Sequence, residues 1–169
     1  MLHAIQGWLG ATVLAPYVRT VVWAKVLLET AHIVADSLIL FSAGLRSLRL
    51  IRRAPGGQST ADIAKRFGPW IWSGLAAAAI TGLMLLTGAG RRGLENPMFQ
   101  LKLTAMALAV LLSAALQLSL AHSAAFWQSS PTRRFGAAAI GPLYFLLWLV
   151  TAFAGRLLAY SNVFFPARN

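Results

Sequence analysis

Lys25-Val26-Leu27-Leu28-Glu29-Thr30-Ala31-His32-Ile33-Val34-Ala35-Asp36 lies inside an apolar run over residues 20–45. The run is long enough to cross a hydrocarbon core of about 30 Å as a helix. At 3.6 residues per turn, Lys25, Glu29, His32 and Asp36 share one helix face. The remaining residues are Val, Leu, Ile, Ala and Thr. A membrane helix keeps ionisable groups only where they have partners or a task. This stretch therefore predicts both a spanning helix and the position of the functional face.

Composition extends the reading to the whole chain. Of 169 residues, 58% are hydrophobic and 11% are charged, with a mean hydropathy of +0.66. A soluble domain carries about 25% charged residues. Fifteen Lys and Arg stand against four Asp and Glu, and they flank the apolar runs instead of forming one face. That excludes nucleic acid as a partner and points to topology signals and anionic lipid headgroups. The absence of Cys excludes thiolate metal sites, iron–sulfur clusters and covalently attached haem. Met1 reads as the start of the mature chain, because no basic n-region precedes a short apolar core.

The predicted fold is all-α: a four-helix transmembrane bundle preceded by an N-terminal interfacial amphipathic helix. Residues 2–15 form the interfacial helix, with Leu2, Ile5, Leu9 and Val13 as its stripe and Pro16 as its end. The spans cover about 20–45, 69–88, 97–121 and 135–160, at about 20 residues each or more. A basic loop, 46–67, joins the first two and includes a short amphipathic helix capped by Ser59 or Thr60. Pro55-Gly56-Gly57 breaks the chain there. Gly74, Ala78 and Gly82 give the second span a small-residue face for close packing. Asn96 caps the third span with Pro97 as its first residue. Lys102, Met106, Ala109, Ser113 and Gln117 share a face of that span. Pro142 falls near the start of the fourth, where a proline costs least. Counting loop cations places both termini outside and the basic loop in the cytoplasm.

Heights along the spans decide which polar groups can meet. His32 lies near the midplane, with Glu29 about 5 Å outward and Asp36 about 6 Å inward. Lys102 and Arg156 fall about 12 Å outward, within the reach of a snorkelling side chain. The expected cluster is thus Glu29, His32, Lys102 and Arg156, and Asp36 has no nameable partner. His122 lies about 15–18 Å to the inner side, too far to share a haem with His32. His3 and His122 read as headgroup-level residues. Met84, Met98 and Met106 are dispersed, which argues against Cu(I). No phosphate-cradling loop, nucleophile elbow or metalloprotease pair occurs.

Four ordered motifs bear a family likeness: Glu29-Thr30-Ala31-His32, Ser47-Leu48-Arg49-Leu50, Asn96-Pro97-Met98-Phe99-Gln100-Leu101-Lys102-Leu103 and Ala154-Gly155-Arg156-Leu157-Leu158-Ala159-Tyr160. Together with Leu2-His3-Ala4 and Trp8-Leu9, the chain resembles small bacterial four-span inner-membrane proteins of unknown function, and through them the membrane domain of copper-resistance CopD proteins. The resemblance covers nearly the whole chain. It implies the four-span fold and carries a pattern onto Glu29, His32, Arg49, Asn96, Pro97, Lys102, Gly155 and Arg156. Where that family has Asp-Leu-Arg, this chain has Ser47-Leu48-Arg49, so an inner Asp–Arg pair is missing.

The leading expectation is a non-catalytic membrane subunit, an anchor or electron-transfer partner in a periplasm-facing redox system. It would join copies of itself or a partner subunit. In this reading His32 ligates the iron of a b-type haem, and Lys102 and Arg156 meet its propionates. One rival is a carrier or channel for a proton, metal ion or small solute along the Glu29/His32/Asp36 face. Another is a structural subunit in which the cluster only holds helices together.

Overall fold

A computed structural model describes residues 2–51, 60–89, 94, 96–122 and 130–160. The 52–59 breaker, the caps proposed at Ser59 and Thr60, Trp127 and the tail from residue 161 fall outside the described residues or side chains.

The described chain is helical, with no strand among the described residues. Two short helices, α1 (Leu2–Gly10) and α2 (Leu14–Thr20), precede four long ones: α3 (Val22–Ile51), α4 (Thr60–Gly88), α5 (Pro97–His122) and α6 (Pro131–Ala159). Each of the four contains a stretch long and apolar enough to cross a membrane.

Among the described prolines, the structure departs from expectation around Pro16, Pro69, Pro131 and Pro142 and agrees with it at Pro97. Pro16 does not end a helix; it sits in the first turn of α2, where its missing N–H has no intrahelical acceptor to lose. The breaks come instead at residues 11–13, which split the expected 2–15 helix, and at Val21, which is extended. Pro69 lies inside α4, so the short 60–67 helix and the second span are one element. Pro142 lies well inside α6. Membrane helices accept interior prolines because neighbouring helices and local adjustments compensate the freed backbone groups. Two caps follow the sequence chemistry. Met98 N–H donates to Asn96 Oδ1 at 2.9 Å. Ser130 Oγ accepts from Arg133 N–H at 3.4 Å, with Pro131 as the first helical residue.

The interior is built of smaller and more polar residues than the surface. Ala35, Ala43, Ala78, Ala105, Ala109 and Ala154 are buried with Ser42, Ser47, Ser113 and Thr151, whereas Leu27, Phe41, Ile80, Leu111 and Phe153 face outward. In lipid the apolar effect does not hold helices together, so close backbone approach and hydrogen bonds must. Gly74 is such an approach: a Cβ there would come 2.8 Å from Ile39 Cγ1 and 3.2 Å from the Ala35 carbonyl. Gly141 stands likewise 3.0 Å from the Ser47 carbonyl.

α3 packs extensively on both α4 and α6, and α5 packs on α6; α4 and α5 meet only thinly. α3 and α5 therefore face each other across the diagonal. α2 lies over the end of α4, with Val18 against Gly88 and Arg19 donating to the Thr87 carbonyl at 3.3 Å. This end of the bundle, holding α1, α2, the start of α3 and the end of α6, is termed the capped end.

Candidate functional site

Lys102 crosses the diagonal. Its Nζ donates to His32 Nε2 at 2.9 Å and lies 3.7 Å from Asp36 Oδ2. Asp36 follows His32 by one turn, with Oδ2 3.8 Å from Nε2. On the other edge of the ring, His32 Nδ1 meets Thr81 Oγ1 at 2.8 Å. The Thr81 hydroxyl proton is already committed, because Oγ1 donates to the Ala77 carbonyl at 2.7 Å. Thr81 can therefore only accept from His32, which assigns the proton to Nδ1 and leaves the Nε2 lone pair for the Lys102 ammonium. His32 is neutral in this arrangement. The ammonium charge is balanced by the Asp36 carboxylate.

Two glycines make the space. A Cβ at Gly82 would stand 3.1 Å from His32 Cε1, and one at Gly155 would stand 2.9 Å from Lys102 Nζ. The small-residue face of the second span thus has two tasks. Gly74 and Ala78 seat α3, and Gly82 admits the imidazole. The cluster is largely enclosed: the side chains of Lys102, His32 and Asp36 retain 13%, 17% and 22% of their exposure.

Of the expected site residues, the structure joins His32 and Lys102 and adds Asp36 and Thr81. Glu29 stays outside, exposed and 3.8 Å from Lys25. Arg156 is also exposed and lies over the Tyr160 ring at 5.7 Å. Its neighbour Gly155 is the residue that touches Lys102. The reason is rotational: on α6 the face toward α5 is taken by the residue without a side chain, which turns Arg156 outward.

A cleft of about 360 Å³ opens at the capped end between α2, α3, α4 and α6. Arg19, Lys25 and Glu29 line it with Val18, Leu85 and Leu158, and Gly155 forms part of its wall. Below the cluster, Asp36, Ile39, Trp148 and Thr151 border a narrow crevice between α3 and α6. Trp148 is buried, and its Nε1 has no hydrogen-bond partner among the described residues.

A second polar group lies toward the other end. Arg46, counted with the basic loop from sequence alone, is wholly buried because α3 runs on to Ile51. Gly68 gives it room: a Cβ there would stand 3.4 Å from Arg46 Nη2 and 3.6 Å from the Gln117 amide. Gln117 Oε1 accepts from Trp72 Nε1 at 2.7 Å, tying α4 to α5. Ser113 and Tyr144 share a 3.2 Å hydrogen bond beside it.

For a b-type haem, His32 must offer a ring nitrogen to iron. Here Nδ1 faces Thr81, Nε2 holds Lys102, and Gly82 lies against Cε1. Lys102 is spent on His32 and Asp36, and Arg156 on Tyr160, so neither is set for a propionate. The residues as arranged do not fit an axial haem ligand. Among the described residues, no group of three or more His, Cys, Asp and Glu side chains is placed to hold a metal ion. The side chains of His3 and His122 are outside the described set. His122 ends α5 twenty residues beyond Lys102, about 30 Å along the axis.

No family model, curated protein or solved structure matches the chain.

Proposed function

We propose that the protein is a membrane carrier for a small solute, with the His32–Lys102–Asp36 cluster as its proton-labile site and the cleft as its access from the capped end. The observation that carries this reading is the pairing of a neutral imidazole with an ammonium and a carboxylate inside the bundle. Ionisable groups are costly at membrane depth and are kept there for ion and proton paths. A neutral His, a cation and an anion in mutual contact can exchange a proton without creating an isolated charge. Gly155 borders both the cleft and Lys102, so the cleft and the cluster share a residue.

The capped end is assigned to the periplasmic side of a bacterial inner membrane. Arg49, Arg52, Arg53, Lys65, Arg66, Arg133 and Arg134 lie near the opposite end by sequence, against Arg19, Arg91, Arg92 and Arg168 near the capped end. That bias favours a cytoplasmic position for the opposite end.

The test is proton movement into liposomes carrying an internal pH dye under a potassium diffusion potential. Wild type is expected to acidify the lumen, and His32→Ala and Asp36→Asn are expected to fall to the empty-liposome rate while remaining folded. A wild type indistinguishable from empty liposomes ends the carrier reading. A structural role has its own observation in its favour, since the cluster bridges the diagonal. It predicts that the same variants unfold instead of merely losing flux.

A further inference from the structure

The cleft at the capped end has a composition that specifies its occupant. Two cations, Arg19 and Lys25, and one carboxylate, Glu29, line it. Lys25 and Glu29 are more than half exposed and 3.8 Å apart, an ion pair cheap to open. Arg19 uses Nη2 on the Thr87 carbonyl, and a guanidinium has five donors in all. The lining therefore carries a net positive charge. Lys102 does not alter that balance, because Asp36 already faces it. Val18, Leu85 and Leu158 contribute apolar surface to the same lining. The volume of about 360 Å³ is at the small end for ligand pockets.

Gly155 supplies the direction. It lines the cleft and is also the residue whose added Cβ would touch Lys102 Nζ at 2.9 Å. Gly155 is thus shared between the cleft wall and the surroundings of the largely enclosed ammonium. An anionic group settled against Gly155 shares the cleft with Lys25 and Arg19.

We propose that the cleft binds a small carboxylate bearing a short apolar tail, its charged end toward Lys25, Arg19 and Gly155 and its tail among Val18, Leu85 and Leu158. That this carboxylate is the transported solute rests on the carrier reading above; that it binds does not.

Hexanoate is the probe, with hexylammonium and hexanol as controls. Binding is measured by calorimetry on the full chain in nanodiscs, against empty nanodiscs and with and without phosphatidylglycerol. Saturable hexanoate binding is expected in either lipid, with neither control binding at the same site. Lys25→Gln, an exposed position, is expected to weaken Kd roughly tenfold by removing one charged donor. Leu158→Trp is expected to abolish binding by filling the cleft, with a thermal midpoint like that of wild type. Equal binding of all three probes overturns the proposal, as does hexanoate binding unchanged in both variants. Loss of hexanoate binding whenever phosphatidylglycerol is present makes the cleft an anionic-headgroup site and also overturns it. Hexanoate binding without proton flux removes the carrier reading alone; flux without hexanoate binding removes this proposal alone.

Discussion

Thr81 shows how one hydroxyl fixes the state of a charged neighbour. By giving its proton to the Ala77 carbonyl it can only accept, and His32 must then place its proton on Nδ1. Thr81→Val keeps the shape and removes the acceptor. It is expected to lower stability in detergent by about 0.6 kcal/mol, the average for single interhelical hydrogen bonds in membranes, and by no more than about 1.7 kcal/mol. The His32 15N chemical shifts should move away from the Nδ1–H pattern at the same time. An unchanged tautomer in Thr81→Val refutes the assignment. Lys102→Ala has a larger effect, because it leaves Asp36 facing a neutral ring. About 3 kcal/mol is expected, at the low end for a broken buried pair because Asp36 keeps some exposure, and Lys102→Arg should recover part of it.

At the scale of elements, α3 presents Lys25, His32, Ile39 and Arg46 at intervals of seven residues. α4 answers with Gly82 at His32, Gly74 at Ile39 and Gly68 at Arg46. A seven-residue repeat keeps one seam facing the partner along helices that cross at a shallow angle. Gly74→Ala is expected to destabilise by about 1–3 kcal/mol through overpacking against Ile39. Ile39→Ala in the same chain should return part of that loss, and strict additivity of the two changes contradicts the contact.

The elements were legible in sequence because an apolar run of more than twenty residues has few other readings. Their ends were not. Hydropathy treats Arg46 as a loop residue, since it cannot register that Gly68 vacates space for a guanidinium on the facing helix. Prolines misled for a related reason: Pro69 read as the start of a span and Pro142 as lying near one, and the neighbouring helices make both tolerable well inside. Of the site, His32 and Lys102 were legible from depth. Asp36 was not paired, and Glu29 and Arg156 were expected in a cluster that leaves both outside, because depth fixes height and leaves rotation about the helix axis open. Gly155 carries that rotational information, and its meaning emerges only when Lys102 is set against it.

For the whole molecule, the absence of Cys makes single-cysteine labelling clean. Thr12→Cys near the capped end and Thr132→Cys at the opposite end should react with an impermeant maleimide from opposite sides of the membrane. In inverted vesicles the periplasmic assignment predicts labelling at position 132 and protection at position 12. The reverse pattern inverts the assignment and turns the cleft toward the cytoplasm.

In cross-section the four long helices form a ring with one slack joint, between α4 and α5. Two polar fasteners hold α5 to the rest across that joint and the diagonal. His32–Lys102 lies near the capped end and Trp72–Gln117 near the other. Removing either contact leaves the other in place at its own height, and α5 keeps its packing on α6 in both cases. The thinly packed joint is thus bridged at two separate heights by two different chemistries, one ionisable and one neutral.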